Sequence, residues 1–344
     1  MDITSTDYDY GDVVHPTLRP LDIPSGVNAY KWVAIFLYAL VIILGVPGNG
    51  LVVWITAFEM KRSVNTIWFL NLAVADLLCC LSVPFIIMNI TVGWPLGLFA
   101  CKFIPSILLI NMFASVLLLT MISIDRCALV MRPVWCQNHR TLRKAYVACA
   151  LMWILAIILS SPSFIFRNVN NSSGKVECKQ DYSLTGHNTQ QRVENFIAIS
   201  RLLLGFIIPL LVIVTCYSIL VKRVKDRFTK NTKTTKVVLV VIIGFFICWL
   251  PYHVAGLILA LHPSHSELYQ FTDTVDTIFV AIAFMNSCIN PIIYVLMGQD
   301  IKSKFKRSIR LIVKNVLAEE VSESVFDSKK SKSISETKNT EASV

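Results

Sequence analysis

The chain has 344 residues, 55% apolar and 16% charged, with 32 Lys and Arg against 22 Asp and Glu for a net charge of +10. A mean hydropathy of +0.61 is more than one soluble core can hide, which excludes a soluble enzyme or binding domain. The positive balance does not point to nucleic acid, because the basic residues share no stripe with aromatic ones.

Residues 1–30 are an acidic, polar tail, with Asp2, Asp7, Asp9, Asp12 and Asp22 against Arg19. They lack the basic-then-apolar order of a cleavable signal, so the first apolar stretch is expected to direct insertion itself. A membrane helix needs about 20 mostly apolar residues. Trp32 to Phe58, Phe103 to Ile124, Ala145 to Phe166, Leu202 to Val221, Val237 to Leu261 and Thr277 to Gln299 contain no Asp, Glu, Lys or Arg. Ser63 to Ala100 contains one, Asp76. The fold class is therefore an all-α membrane protein, a bundle of seven transmembrane helices over residues 31–298.

Arg132, Arg140, Arg143 and Lys144 follow span three, Lys222, Arg223 and Lys225 follow span five, and Lys302, Lys304, Lys306 and Arg307 follow span seven. This bias puts the C-terminus inside and the N-terminus outside, and draws the inner face to anionic membrane lipid. Ile301, Phe305 and Ile309 recur at helical spacing among those cations, so residues 299–316 read as an amphipathic helix on the inner surface. Residues 317–344 are a polar, disordered cytoplasmic tail in which Ser322, Ser324, Ser328, Ser331, Ser333 and Ser335 are candidate phosphorylation sites. Of ten cysteines, only Cys101 and Cys178 face the oxidising side, so one disulfide is expected between them. Asn89, Asn170 and Asn171 stand in glycosylation sequons, Asn89 at the outer end of span two.

Polar residues at membrane depth carry more information than apolar ones, because they are expensive there. Asn49, Asp76, Asn111, Ser115, Asn286 and Asn290 supply one carboxylate and several neutral oxygens. That set suits a sodium ion at Asp76, Asn111, Ser115, Asn286 and Asn290, acting as an allosteric modulator; the alternative is a purely structural hydrogen-bond network, the preferred reading for Asn49. No other cofactor is expected. Pro209, Pro251 and Pro291 interrupt spans five, six and seven, a pattern suited to a bundle that switches.

Asn49, Asp76, Cys101, Asp125-Arg126, Trp153, Pro209, Trp249-Leu250-Pro251 and Asn290-Pro291-x-x-Tyr294 occur in order. Together they resemble the rhodopsin-like G-protein-coupled receptors from about Lys31 to Val316. The resemblance implies that Arg126 engages a heterotrimeric G protein when span six swings out, with Tyr217 and Tyr294 as its active-state partners and Phe245 and Trp249 as a core relay. The inner end of span six offers no acid to restrain Arg126, so restraint is expected from Asp125 and the core. Receptor kinases and arrestin are the partners implied for the tail.

Leu108 stands where amine receptors of this family carry an Asp, and span seven has no lysine for retinal. Asp7-Tyr8-Asp9-Tyr10 places Tyr8 and Tyr10 in a sulfation context, and such a tail attracts an extracellular cationic protein. Arg201, Glu194, Asp276 and Arg167 at the outer ends of the spans supply both signs for the end of a peptide, whose carboxylate would pair with Arg201. Trp68-Phe69-Leu70-Asn71 and Val134-Trp135-Cys136-Gln137 are similar to the chemoattractant branch. Within it, Asp181-Tyr182-Ser183 and Arg201-Leu202-x-Leu204-Gly205-Phe206 resemble receptors for complement component 5a above those for component 3a, chemerin or formyl peptides. The branch implies an inhibitory-type G protein, chemotaxis and calcium mobilisation at the plasma membrane. A transporter using Asp76 is the remote alternative, and no catalytic motif of an enzyme is present.

Overall fold

The computed structural model describes residues 29–172, 175–186, 189–225 and 232–297. Within them seven helices are long and apolar enough to cross a membrane: Ala29–Glu59, Val64–Thr91, Gly97–Met131, Leu142–Ile165, Gln190–Leu220, Leu239–Leu261 and Glu267–Ile289. Polar residues set several of their starts. Ser63 caps span two by accepting from the Thr66 N–H at 3.1 Å, and Thr141 caps span four through the Lys144 N–H at 3.4 Å. Pro133 opens a short helix, Pro133–His139, at the inner side between spans three and four.

Span three is the axis of the bundle, with 67% of its most apolar window buried against 22% for span four. Its Met112, Phe113, Val116 and Leu119 enter a core shared with Leu72, Phe206, Phe245, Trp249 and Phe284. Span four instead turns Ile154, Ile157 and Ile158 outward, as a helix solvated by lipid tails does.

Two helices run past the outer limits expected from charge-free stretches. Span five begins at Gln190, so Glu194 and Arg201 both lie inside it. Span seven begins at Glu267, so Asp276, expected at its outer start beside Thr277, lies instead well within the helix. Arg167 does not end span four; it opens strand β1, Arg167–Ser172. The reason is common to the two helices. Polar residues that face a wet cavity do not end a helix, although they interrupt an apolar run.

Between Arg201 and Pro209 the backbone widens to a π turn over Leu203–Ile207. The residue count from the proline therefore does not by itself give the face on which Arg201 sits.

β1 pairs antiparallel with β2, Lys175–Gln180, so that Val169 faces Cys178. This hairpin is pinned to span two and the turn after it. Lys175 Nζ donates to the Ile90 carbonyl at 2.9 Å, and the Trp94 N–H donates to Val176 O at 2.8 Å. Gly93, at φ 104°, lies so close that a Cβ there would meet the Val176 carbonyl, which makes glycine the residue this turn requires. The Cys101–Cys178 disulfide closes the assembly as expected, with buried Trp94 packed on it. The amphipathic segment 299–316, the phosphorylatable serines and the acidic tail lie outside the described residues.

Candidate ligand cavity and inner switch

A cavity of about 870 Å³ opens at the outer end of the bundle and is lined by Arg167, Glu194, Arg201 and Asp276 together with Tyr252 and Asp273. All four described residues expected to grip a ligand end are thus brought to one space. They do not neutralise one another, since among the described residues none of the four is in an ion pair. Arg201 instead donates from Nη1 to the Tyr252 hydroxyl at 2.9 Å and lies 4.8 Å over the Tyr252 ring. Its guanidinium fills the space where a side chain at position 256 would begin, so Gly256 is what lets it rest against span six. Arg167 is steadied more weakly, donating from Nε to Ser163 Oγ at 3.4 Å.

The hairpin roofs this cavity with charged groups of its own. Glu177 lies 2.6 Å from Lys179 Nζ, and that hydrogen bond and charge hold its carboxyl below the ordinary range. Asp181 accepts from Ser183 and Asn168, which lowers it likewise. Burial pushes the Tyr182 phenol up to about 12, so it faces the cavity as a neutral group.

Asn89 accepts from the Cys178 N–H at 3.2 Å and donates to the Cys178 carbonyl at 3.5 Å. Its amide is thus spent on the hairpin, unlike Asn170 and Asn171, which are exposed. Tyr8 and Tyr10 lie outside the described residues.

Halfway down, Asp76, Asn111, Ser115 and Ser287 are all buried, with Asn111 in reach of the other three. The Asn111 amide satisfies both of its atoms when its nitrogen faces Asp76 Oδ1 at 3.3 Å and its oxygen accepts from Ser287 Oγ at 3.2 Å. Asn286 is buried with no partner for its nitrogen among the described residues. Asn49 is spent on structure, donating to the Gly45 carbonyl at 3.0 Å and to Ser287 O at 2.7 Å. The side chains of Asn290 and Tyr294 lie outside the described residues, although both positions are helical. Pro251 and Pro291 sit within their helices, and Phe245 and Trp249 pack 5.9 Å apart in the core beneath Tyr252.

At the inner end the restraint expected from Asp125 on Arg126 is not what the structure holds. Asp125 is paired with Arg140, at 2.7 Å to Nε and 2.9 Å to Nη2. Arg126 donates to Asn65 Oδ1 at 2.5 Å, and Arg140 shares that oxygen at 2.6 Å. The physical reason is the shape of the inner loop: the Pro133–His139 helix ends where Arg140 can present its guanidinium edge to both carboxylate oxygens. Tyr217 is buried with no partner for its hydroxyl among the described residues.

Sequence reasoning gave no site role to Tyr252, Gly256, Ser287, Asn65 or Arg140, the last read only as an inner-side cation. Tyr252 and Ser287 adjoin residues it did single out, Pro251 and Asn286, so their neighbourhood was the available signal. Nothing in the sequence places Asn65 beside Arg140.

Residues 48–294 match the family model described as the 7 transmembrane receptor (rhodopsin family). The chain belongs to that family. It is a multi-pass membrane receptor, with an extracellular ligand and a G protein as partners. It is similar to C5a anaphylatoxin chemotactic receptor 1 of Canis lupus familiaris, 45% identical over 91% of each chain. The receptor of the same name from Oryctolagus cuniculus is 48% identical over 84% of this chain and 83% of its own. The C3a anaphylatoxin chemotactic receptor of Oncorhynchus mykiss is 42% identical over 97% of this chain and 93% of its own.

Proposed function

We propose that this receptor responds to complement C5a, gripping it at two places and signalling through an inhibitory-type G protein to chemotaxis and calcium mobilisation. The observation that carries the reading is the outer cavity, in which Arg201, Arg167, Glu194 and Asp276 converge with no ion pair among the described residues. A peptide C-terminus brings a carboxylate for Arg201, and a basic side chain beside it meets Asp276 or Glu194. The likeness to C5a receptors over most of the chain supports the choice of ligand. The acidic tail, sulfated at Tyr8 and Tyr10 and extracellular, captures the body of a cationic protein by long-range attraction. Glycans on Asn170 or Asn171 fit their exposure.

Within the bundle, ligand binding shifts a two-state equilibrium by favouring the form in which span six opens the inner cleft to a G protein. Arg201 touches span six through Tyr252, directly above Trp249, so a carboxylate that draws Arg201 away changes the packing of that helix. Asp76, Asn111 and Ser115, with Asn286 and Asn290 further along the chain, are the residues whose oxygens a sodium ion would take, and Ser287 bonds to Asn111 beside them. Receptor kinases acting on the tail serines, and arrestin recruited to them, end the signal. The receptor resides in the plasma membrane.

The test is a calcium or cyclic-AMP assay in cells expressing the full chain, challenged in parallel with C5a, C3a, chemerin and formyl peptides. A response to C5a at the lowest concentration is expected. C3a is the specific competitor, given the similarity to the C3a receptor of Oncorhynchus mykiss, and a response to C3a alone overturns the choice.

A further inference from the structure

Asp125 and Arg126 are neighbours at the inner end of span three, yet the carboxylate is held by another arginine. Arg140 closes on it through two nitrogens, at 2.7 and 2.9 Å. Side-chain exposures of 12% for Asp125 and 22% for Arg140 leave that pair only partly open to screening by salt. Arg126 is left with the neutral Asn65 oxygen, and its buried Nε has no acceptor among the described residues.

A two-point grip between guanidinium and carboxylate uses both oxygens of the acid and is stronger than a bond to a neutral amide. We propose that Arg140 is a positioning residue for signalling: by occupying Asp125 it keeps that carboxylate from Arg126, so that the Arg126 guanidinium stays available to a partner entering the inner cleft. Asn65 completes the device. Its one oxygen accepts from both guanidinium groups, which holds two like charges side by side without giving Arg126 a counter-ion of its own.

Remove Arg140, and Asp125 has Arg126 next to it in the chain as the cation to turn to. The arginine then gains a charge-assisted bond that a partner has to break. Loss of Arg140 is therefore expected to weaken signalling, the reverse of what loss of an ordinary restraint does. The inference rests on the reading that a G protein engages Arg126.

The experiment uses the full chain in membranes with a purified inhibitory-type G protein, C5a as the probe and the initial rate of nucleotide exchange as readout. Surface expression and C5a binding are measured alongside, so that a misfolded variant is recognised. Arg140→Ala is expected to slow exchange by at least about fivefold, the lower end of ordinary coupling between sites. Arg140→Lys, which keeps the charge and loses the two-point geometry, falls between it and the wild type. The deciding variant is Arg140→Ala combined with Asp125→Asn, which has no carboxylate left to seize Arg126 and is expected to recover the rate of Asp125→Asn alone. A double variant as slow as Arg140→Ala overturns the inference and assigns Arg140 to direct contact with the G protein. Arg140→Ala at or above the wild-type rate overturns it too. A wild type that drives no exchange sinks the coupling reading itself, and the inference with it.

Discussion

In the outer half of the bundle Arg201, Arg167, Glu194 and Asp276 share a cavity of about 870 Å³ and leave one another unpaired. In the inner half Asp125 and Arg140 close to 2.7 Å, and Asn65 accepts from two arginines at once. The outer charges are held apart around an open cavity, so a ligand supplies their counter-charges. The inner ones are brought together by a loop helix, which pairs Asp125 with Arg140 and leaves Arg126 on a neutral oxygen that a partner can displace.

The comparison breaks first at the disulfide. Cys101→Ser or Cys178→Ser frees a closure between residues 77 apart in sequence, worth about 4 kcal/mol on the chain-entropy account. It also loosens the hairpin that roofs the cavity. Ligand binding at the cell surface is expected to disappear in both variants while total expression remains detectable; normal binding by both removes the disulfide from the account.

Arg201→Ala comes next. It strands a ligand carboxylate, at about 2–5 kcal/mol if the pair is desolvated. Potency of a short C-terminal C5a peptide should fall at least about tenfold, since ~1.4 kcal/mol is one decade. Asp276→Arg sharpens the same point by rejecting a peptide that ends in arginine and tolerating one trimmed of it.

Gly256→Ala tests the resting place of Arg201 without touching its charge. The added carbon displaces only the tip of a flexible side chain, so a smaller loss of peptide potency than for Arg201→Ala is expected, with C5a binding retained. At mid-depth, Asp76→Asn should make agonist affinity indifferent to sodium; a sodium response equal to the wild type's leaves Asp76 in a structural network.

The smallest effect belongs to the tail. Tyr8→Phe with Tyr10→Phe should weaken C5a binding in a salt-dependent way and leave short peptides as potent as before, because only the protein's body meets the tail. Equal damage to protein and peptide would end the division into two sites.

The seven crossings were legible because an apolar run of membrane length has few other uses, and the disulfide because only two cysteines face outward. The outer cavity was half legible. Arg201, Glu194 and Asp276 were conspicuous as charges near apolar stretches, yet their helices were drawn too short, since Glu194 and Arg201 break an apolar run without breaking the helix that carries them. Gly256 carried no signal at all, because its importance is an empty volume that another helix fills. The inner pairing was misread for a related reason. Asp125 and Arg126 are adjacent in sequence, and adjacency says nothing of which edge of a guanidinium faces which oxygen; Arg140 wins on geometry that only the folded loop supplies.

The π turn at Leu203–Ile207 sets the angular phase between the two ends of span five. A helix advances by about 100° for each residue. The wider turn takes up one residue, so winding the same residues there as an ordinary α-helix would rotate everything on its outer side, Glu194 and Arg201 included, by roughly that angle against Tyr217 and the inner half. The cavity would lose its guanidinium from the face of Tyr252 although no side chain had been substituted. The winding of a five-residue stretch thus sets which face the outer end of span five shows the cavity, while the inner end stays in register.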